Sequence, residues 1–232
     1  WLAVTFVTRD GWSVKNALRR MVLSKTYRQR SHVRPAAMAS DPENKFYWRH
    51  PGQRLDAETI RDQGLSISGL LSNKEGGPSV YPFQPEGVWR KTIGAGPEKW
   101  IQSKGEDQYR RGVYTLWKRN GHYANFAIFD APDRGVCSVA RNRSNTPLQA
   151  LALMNDRAVV EMTEGFARRM HLEFRGSIEG RLNRAFRTVL ARNPAPTEME
   201  TLRRAFDLAE TDVEGFQDVA TILFNLHETI HR

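Results

Sequence analysis

The chain has 232 residues, 40% hydrophobic and 26% charged, with 35 Lys+Arg against 26 Asp+Glu and a formal charge of +9. Its mean hydropathy of −0.59 suits a soluble globular protein with a modest core, and no run of about 18 apolar residues is present to span a bilayer as a helix. The single cysteine, Cys137, excludes an intrachain disulfide and a thiolate metal cage.

In chain order, residues 1–30 read as two helices. "WLAVTFVTRDGW" has the look of the tail of an amphipathic helix, not of a signal peptide, and the expectation is a piece of a longer polypeptide. Ser13 caps "VKNALRRMVL", in which Val14, Ala17, Leu18, Met21 and Val22 recur at helical spacing. Next comes "RLDAETIRDQGLSISGLL", where Ala57, Ile60, Gly64, Ile67 and Leu71 form an apolar stripe. A glycine there weakens the helix by about 1 kcal/mol relative to alanine, which predicts a close packing neighbour.

From Asn73 to Asn145 the chain is dense in Gly, Pro and aromatic residues, marking irregular backbone held by ring packing. Within it, "YRRGVYTLWKRN" reads as a short helix or an edge strand and "NFAIFD" could equally be a strand; both stay open, a short hairpin being one outcome. From Thr146 onward the pattern is helical. Capping boxes are predicted at Thr146/Gln149, Thr197/Glu200 and Thr211/Glu214, the first with Pro147 at the opening helical position. The fold class expected is mainly α: a single domain over 1–232, helical over 1–72, irregular and aromatic-rich over 73–145, and a helical bundle over 146–232.

The strings "SKTYRQRS", "DPENKFYWRHPGQRLDAETIRD", "GGPSVYPFQPEG", "YRRGVYTLWKR", "FDAPDRGVCSVARNRSNTPLQALALMND" and "FNLHETIHR" follow one another in that order. Together they resemble the C-terminal planctomycete-specific domain of large exported proteins, the domain of unknown function 1553 family. The resemblance implies export to the periplasm or cell envelope, another uncharacterised domain upstream and frequent association with a cytochrome c domain. It implies no catalytic step. This chain has no Cys-x-x-Cys-His string, so haem c would sit on an upstream domain and no cofactor is expected here.

Three clusters stand out. In the first, Asp130, Asp133, Arg134, Arg141, Arg143, Asn145, Thr146 and Gln149 gather around a helix start. An anion can sit among such arginines and unpaired N–H groups, but ion pairing of Asp130 and Asp133 with the arginines beside them is the leading reading. In the second, Arg54, Glu58 and Asp62 share one helix face by their spacing, with Asp56 beside them. Asp56, Glu58, Asp62 and Asp130 form a carboxylate pool fit for acid–base catalysis on a polysaccharide, although clamping by arginines from the first cluster leads here as well. The third is "HETIH", His227 to His231, which matches the zinc motif H-E-x-x-H. It lies in the last turn of the sequence, where fraying suits a metal poorly, and a further ligand such as His122 or His171 would be needed. The aromatic stretch, Tyr81 to Tyr123, reads as local core ahead of a ring-stacking surface.

The reading that results is an accessory interaction domain of an exported multidomain protein, partnered by its own upstream domains. A polysaccharide-acting enzyme is the alternative and a zinc hydrolase a distant third. Nucleic acid is set aside because no reading motif accompanies the charge.

Overall fold

The computed structural model describes residues 1–89, 99–118 and 121–231, and the chain divides into two compact units, residues 1–53 and 54–231. The protein is mainly α, with eleven α-helices and no strand among the described residues.

The first unit contains α1 (Leu2–Thr8), α2 (Val14–Val22) and α3 (Pro35–Ser40). Ser13 caps α2 by accepting the Asn16 N–H at 3.3 Å. The loop between α1 and α2 is fixed by Asp10, buried, whose carboxylate takes a 2.6 Å bond from Arg20. The short α3, opened by Pro35, was not foreseen from the sequence. Asp41 ends it and accepts the N–H groups of Lys45 and Phe46 at 3.0 and 2.9 Å.

The second unit is built on α4 (Ala57–Ser68), α7 (Arg157–Leu172) and α10 (Asp212–Asn225), with α8 (Ile178–Leu190) and α9 (Pro196–Asp207) closing one side. Apolar stripes at helical spacing meet in the main core: Leu65 and Ile67 from α4, Phe166 and Met170 from α7, Phe186 from α8, and Phe216 and Leu223 from α10. Gly64 lets α4 and α7 come this close, since a Cβ there would stand 2.6 Å from Met162 Sδ. The glycine in the stripe is therefore a packing requirement. Gly69, at φ +77, ends α4 in the left-handed region that glycine adopts without strain. Arg169 of α7 then donates to the exposed carbonyls of Ser66 and Ile67.

The capping boxes predicted at Thr146 and Thr211 are present. The one placed at Thr197 is not: α9 begins earlier, with Ala195 at the N-cap, Pro196 in the first turn and Glu198 accepting the Ala195 N–H at 2.7 Å. Proline's fixed φ at the first helical position outweighs the threonine. The bundle expected from Thr146 also breaks sooner than its pattern suggests. Asp156 ends α6 (Pro147–Asn155) and caps α7 through the Ala158 N–H.

The irregular stretch holds two 3₁₀ turns, Gly105–Tyr109 and Gly112–Tyr114, and a short helix, α5 (Ala124–Ile128). The "NFAIFD" segment, open between helix and strand in the sequence, is a helix, and no hairpin forms among the described residues. Its Phe126 and the adjoining Tyr123 and Phe129 are all buried on one side, a demand that a single helical turn meets. "YRRGVYTLWK" forms 3₁₀ turns and isolated bridges to Ser72 and Val80 in place of a helix or edge strand; Arg119 and Asn120, and residues 90–98 of the glycine-rich loop, lie outside the described residues. Its rings form a second core: Trp100 stacks on Tyr123 at 5.7 Å and 5°, and Tyr123 meets Phe126 edge-on at 5.0 Å. Burial pushes the Tyr123 hydroxyl up to about 12.

Candidate functional site

The sequence-derived carboxylates lie within the second unit, each placed by a different local device. Asp56 is the N-cap of α4, although its side chain makes no capping bond. Glu58 and Asp62 follow in the first two turns. Asp130 sits just after α5 with φ +56, a left-handed conformation that Asp tolerates better than most residues. That twist turns its carboxylate back toward the segment leading into α6.

Glu58 receives a two-pronged grip from Arg141, Nη1 to Oε2 at 2.6 Å and Nη2 to Oε1 at 3.2 Å. Asp56 touches the same guanidinium only at 3.7 Å. Burial alone would raise the Glu58 carboxyl, but the Arg141 bonds and the Arg134 charge bring it below its ordinary value. Asp62 accepts the Gly112 N–H at 2.6 Å and faces Arg111 at 3.6 Å. Gly112 eases that approach, because a Cβ would stand 3.1 Å from both Glu58 Cβ and Phe126 Cζ and push them apart by a few tenths of an ångström.

Asp130 is the most heavily engaged. It accepts Arg54 Nη2 at 2.6 Å, the Ser144 N–H at 2.7 Å and the Ser144 hydroxyl at 2.8–2.9 Å. Burial raises its carboxyl, yet these donors more than offset burial and leave it below the ordinary range. Desolvation lowers the Arg54 guanidinium, opposed by the charges of Asp130 and Asp56. With an ordinary value of 12.5 it remains a cation, and the side chain is only 3% exposed. Gln149 completes the joint, donating to Ile128 O at 2.9 Å and Ser144 Oγ at 3.0 Å while closing the Thr146 capping box.

The pairing differs from the sequence expectation at both ends: Asp130 is bound by Arg54 and not by an arginine beside it, and Asp133 bonds within its own turn. Arg54 does not share the α4 face with Glu58 and Asp62, because the helix starts only at Ala57. It lies in an extended run bridged to His231 and reaches Asp130 instead. The arginine beside the acidic turn, Arg141, crosses to α4. Arg143 and Asn145 are exposed. Asp133 accepts the Gly135 N–H at 2.9 Å within its own turn, and the Arg134 guanidinium lies 4.2 Å over the Trp117 ring. Ser144 carries no signal in the sequence, and Arg54 stands in the second cluster there without Asp130 as its partner. No local spacing signals a partner 76 positions away in the chain.

In the "HETIH" segment, α11 (His227–Ile230), the two imidazoles stack on each other at 3.6 Å. Burial, with the His227 and Arg54 charges, lowers the His231 value despite the bond near His227 O. Glu228 is bound to Arg192, which also grips Glu198 at 2.7–2.8 Å. Among the described residues no group of three His, Cys, Asp or Glu side chains is placed to hold a metal ion.

Arg192 lowers the Glu198 carboxyl to about 2. A depressed carboxyl contributes stability that is complete above its unfolded value near 4.5 and is lost as pH falls toward 2. Wild type should therefore lose melting temperature more steeply than Glu198→Gln between about pH 5 and pH 3. Parallel melting curves of the two proteins against pH would show no pairing of this kind.

The family described as PSD1, a protein of unknown function (DUF1553), matches residues 1–206. No curated protein and no solved structure matches the chain. The matched span takes in the whole carboxylate–arginine joint and stops inside α9, so α10 and the histidine pair lie beyond it.

Proposed function

The chain belongs to the PSD1 (DUF1553) family, and from that premise we propose that it is a non-catalytic interaction module of an exported multidomain protein, docking onto other domains of the same polypeptide, a c-type cytochrome module among them. The observation that carries this reading is α6. Its buried side holds Gln149, Ala152 and Leu153, but Leu148, Leu151 and Met154 on the other side are 56–57% exposed. A helix apolar all round belongs in an interior. No described residue of the second unit covers this side, and a neighbouring domain is the cover it fits.

The state of the carboxylates supports a structural role over catalysis. A glycosidase needs two carboxyl groups facing substrate across a cleft, about 5–10 Å apart. Here Glu58 is committed to Arg141, and Asp130 to Arg54 and Ser144. Neither is poised to give or take a proton at neutral pH.

Leu151→Asp tests the proposal. In the chain alone it should change stability by no more than about 0.5 kcal/mol, as exposed substitutions do. In the complete polypeptide that the gene encodes, amide exchange over residues 147–155 should be much slower than in the chain alone, and Leu151→Asp should restore the fast rate. Equal exchange in both forms would overturn the docking reading. So would a concentration-dependent dimer of the chain that Leu151→Asp abolishes, since a second copy would then be the occupant. Hydrolysis of a polysaccharide, lost in Glu58→Gln without loss of melting temperature, would replace it with an enzyme.

A further inference from the structure

Residues 1–53 differ from the rest in both charge and burial. They carry ten Lys/Arg against three Asp/Glu, a net +7 of the chain's +9. The three acids are engaged internally: Asp10 with Arg20, Asp41 with the Lys45 and Phe46 N–H groups, and Glu43 with Lys45 at 2.8 Å. The outward field is almost wholly positive. No apolar side chain in this unit is buried; its buried residues are Thr5, Asp10 and Asp41.

Helix α2 concentrates both properties. At about 100° per residue, Val14, Ala17, Leu18, Met21 and Val22 fall in one arc of about 140°. Val14, Leu18, Met21 and Val22 are 63, 52, 41 and 40% exposed. Lys15 and Arg19, one turn apart, border that arc beside Val22 and are exposed. Trp12, just before the cap, is 68% exposed. A strongly amphipathic helix of low net hydrophobicity, with Lys/Arg on one face and aliphatic and Trp side chains on the other, is built to lie in a membrane interface.

We propose that α2 seats this unit on a bilayer surface rich in anionic lipid. Val14, Leu18, Met21 and Val22 enter the boundary between headgroups and acyl chains, while Lys15 and Arg19 meet the lipid phosphates. Charge complementarity selects this occupant. Nucleic acid and anionic polysaccharide match the charge but offer no apolar phase for the arc. A protein partner matches the arc, but lysine is depleted from protein interfaces, and the aliphatic strip here runs directly into cations. Helix α2 would lie on the membrane without crossing it, and no helix among the described residues is long and apolar enough to cross. The inference is independent of the α6 docking face.

The test is co-sedimentation of the whole 232-residue chain with phosphatidylcholine vesicles, with and without a quarter of phosphatidylglycerol. Binding is expected only with phosphatidylglycerol and should weaken with added salt. The exposed pair variant Lys15→Gln/Arg19→Gln should partition about 30-fold more weakly, from about a fivefold contribution per basic residue. Leu18→Asp, also exposed, should abolish binding, with unchanged circular dichroism as the folding control. Absence of binding to phosphatidylglycerol vesicles overturns the proposal. Equal binding to neutral vesicles, or binding that survives Leu18→Asp, overturns it too, the last because plain charge adsorption then suffices. A protein that protects α2 while these vesicles do not would assign the face to that partner.

Discussion

Asp130→Ala is expected to lower the unfolding free energy by about 3–5 kcal/mol, the cost of leaving one partner of a buried ion pair alone. Arg54 would keep only its 3.1 Å bond to Phe129 O. Its Nε and Nη1 already lack a hydrogen-bond partner among the described residues, and only the more distant charge of Asp56 would remain to oppose its desolvation. The Ser144 N–H and hydroxyl lose their acceptor in the same step. Alanine would also have to hold a φ of +56, which adds strain that aspartate tolerates better. Asp56→Ala, one turn from the same cluster, should cost only about 0.5 kcal/mol. Its carboxylate makes one 3.7 Å contact and no capping bond. Urea denaturation of the two variants side by side measures the contrast. Equal losses would mean that the joint is not centred on Asp130.

Arg110→Ala should cost about 2–3 kcal/mol by removing a buried charged donor that bonds three carbonyls of an otherwise exposed loop. The residue is only 1% exposed. Its guanidinium donates to Lys74 O at 3.1 and 3.3 Å, to Pro78 O at 3.3 Å and to Gly76 O, and lies 3.8 Å over the Tyr114 ring. One planar fork thus organises the whole "KEGGPSV" loop. Arg110→Lys should recover little of the loss, because an ammonium cannot reach three carbonyls in a plane or stack as flatly on tyrosine. Limited proteolysis gives the local readout: cleavage over residues 73–80 should accelerate in both variants. Unchanged cleavage with unchanged stability would show the loop held by its backbone bridges alone.

The helices were legible because their signals are local. A 3.6-residue apolar period and a cap need no information from elsewhere, and Ser13, Thr146 and Thr211 start their helices where the sequence indicates. Thr197 misled because Pro196 immediately before it already fixed the helical turn. The joint was legible only as composition. Acidic and basic residues were present in about the right number, and Arg141 reaches Glu58 on α4 as the clamping reading has it, but Asp130 goes to Arg54 instead of an arginine beside it. Fourth-position spacing put Arg54 on a helix face because periodicity carries no notice of where a helix begins. Arg110 was hidden for a related reason. Its partners are carbonyls, which every residue has, so only the unusual Gly76–Gly77–Pro78 turn hinted that carbonyls needed a donor.

Helix α4 reaches into both cores, giving Leu65 and Ile67 to the larger and Ala57 to the aromatic one. It is gripped at one end by Arg141 through Glu58 and at the other by Arg169. Neither core can loosen without freeing this shared rod, and freeing the rod strips the other of a wall. Residues 54–231 should accordingly melt in a single cooperative transition, whereas the coreless amino-terminal unit contributes little to that transition's enthalpy.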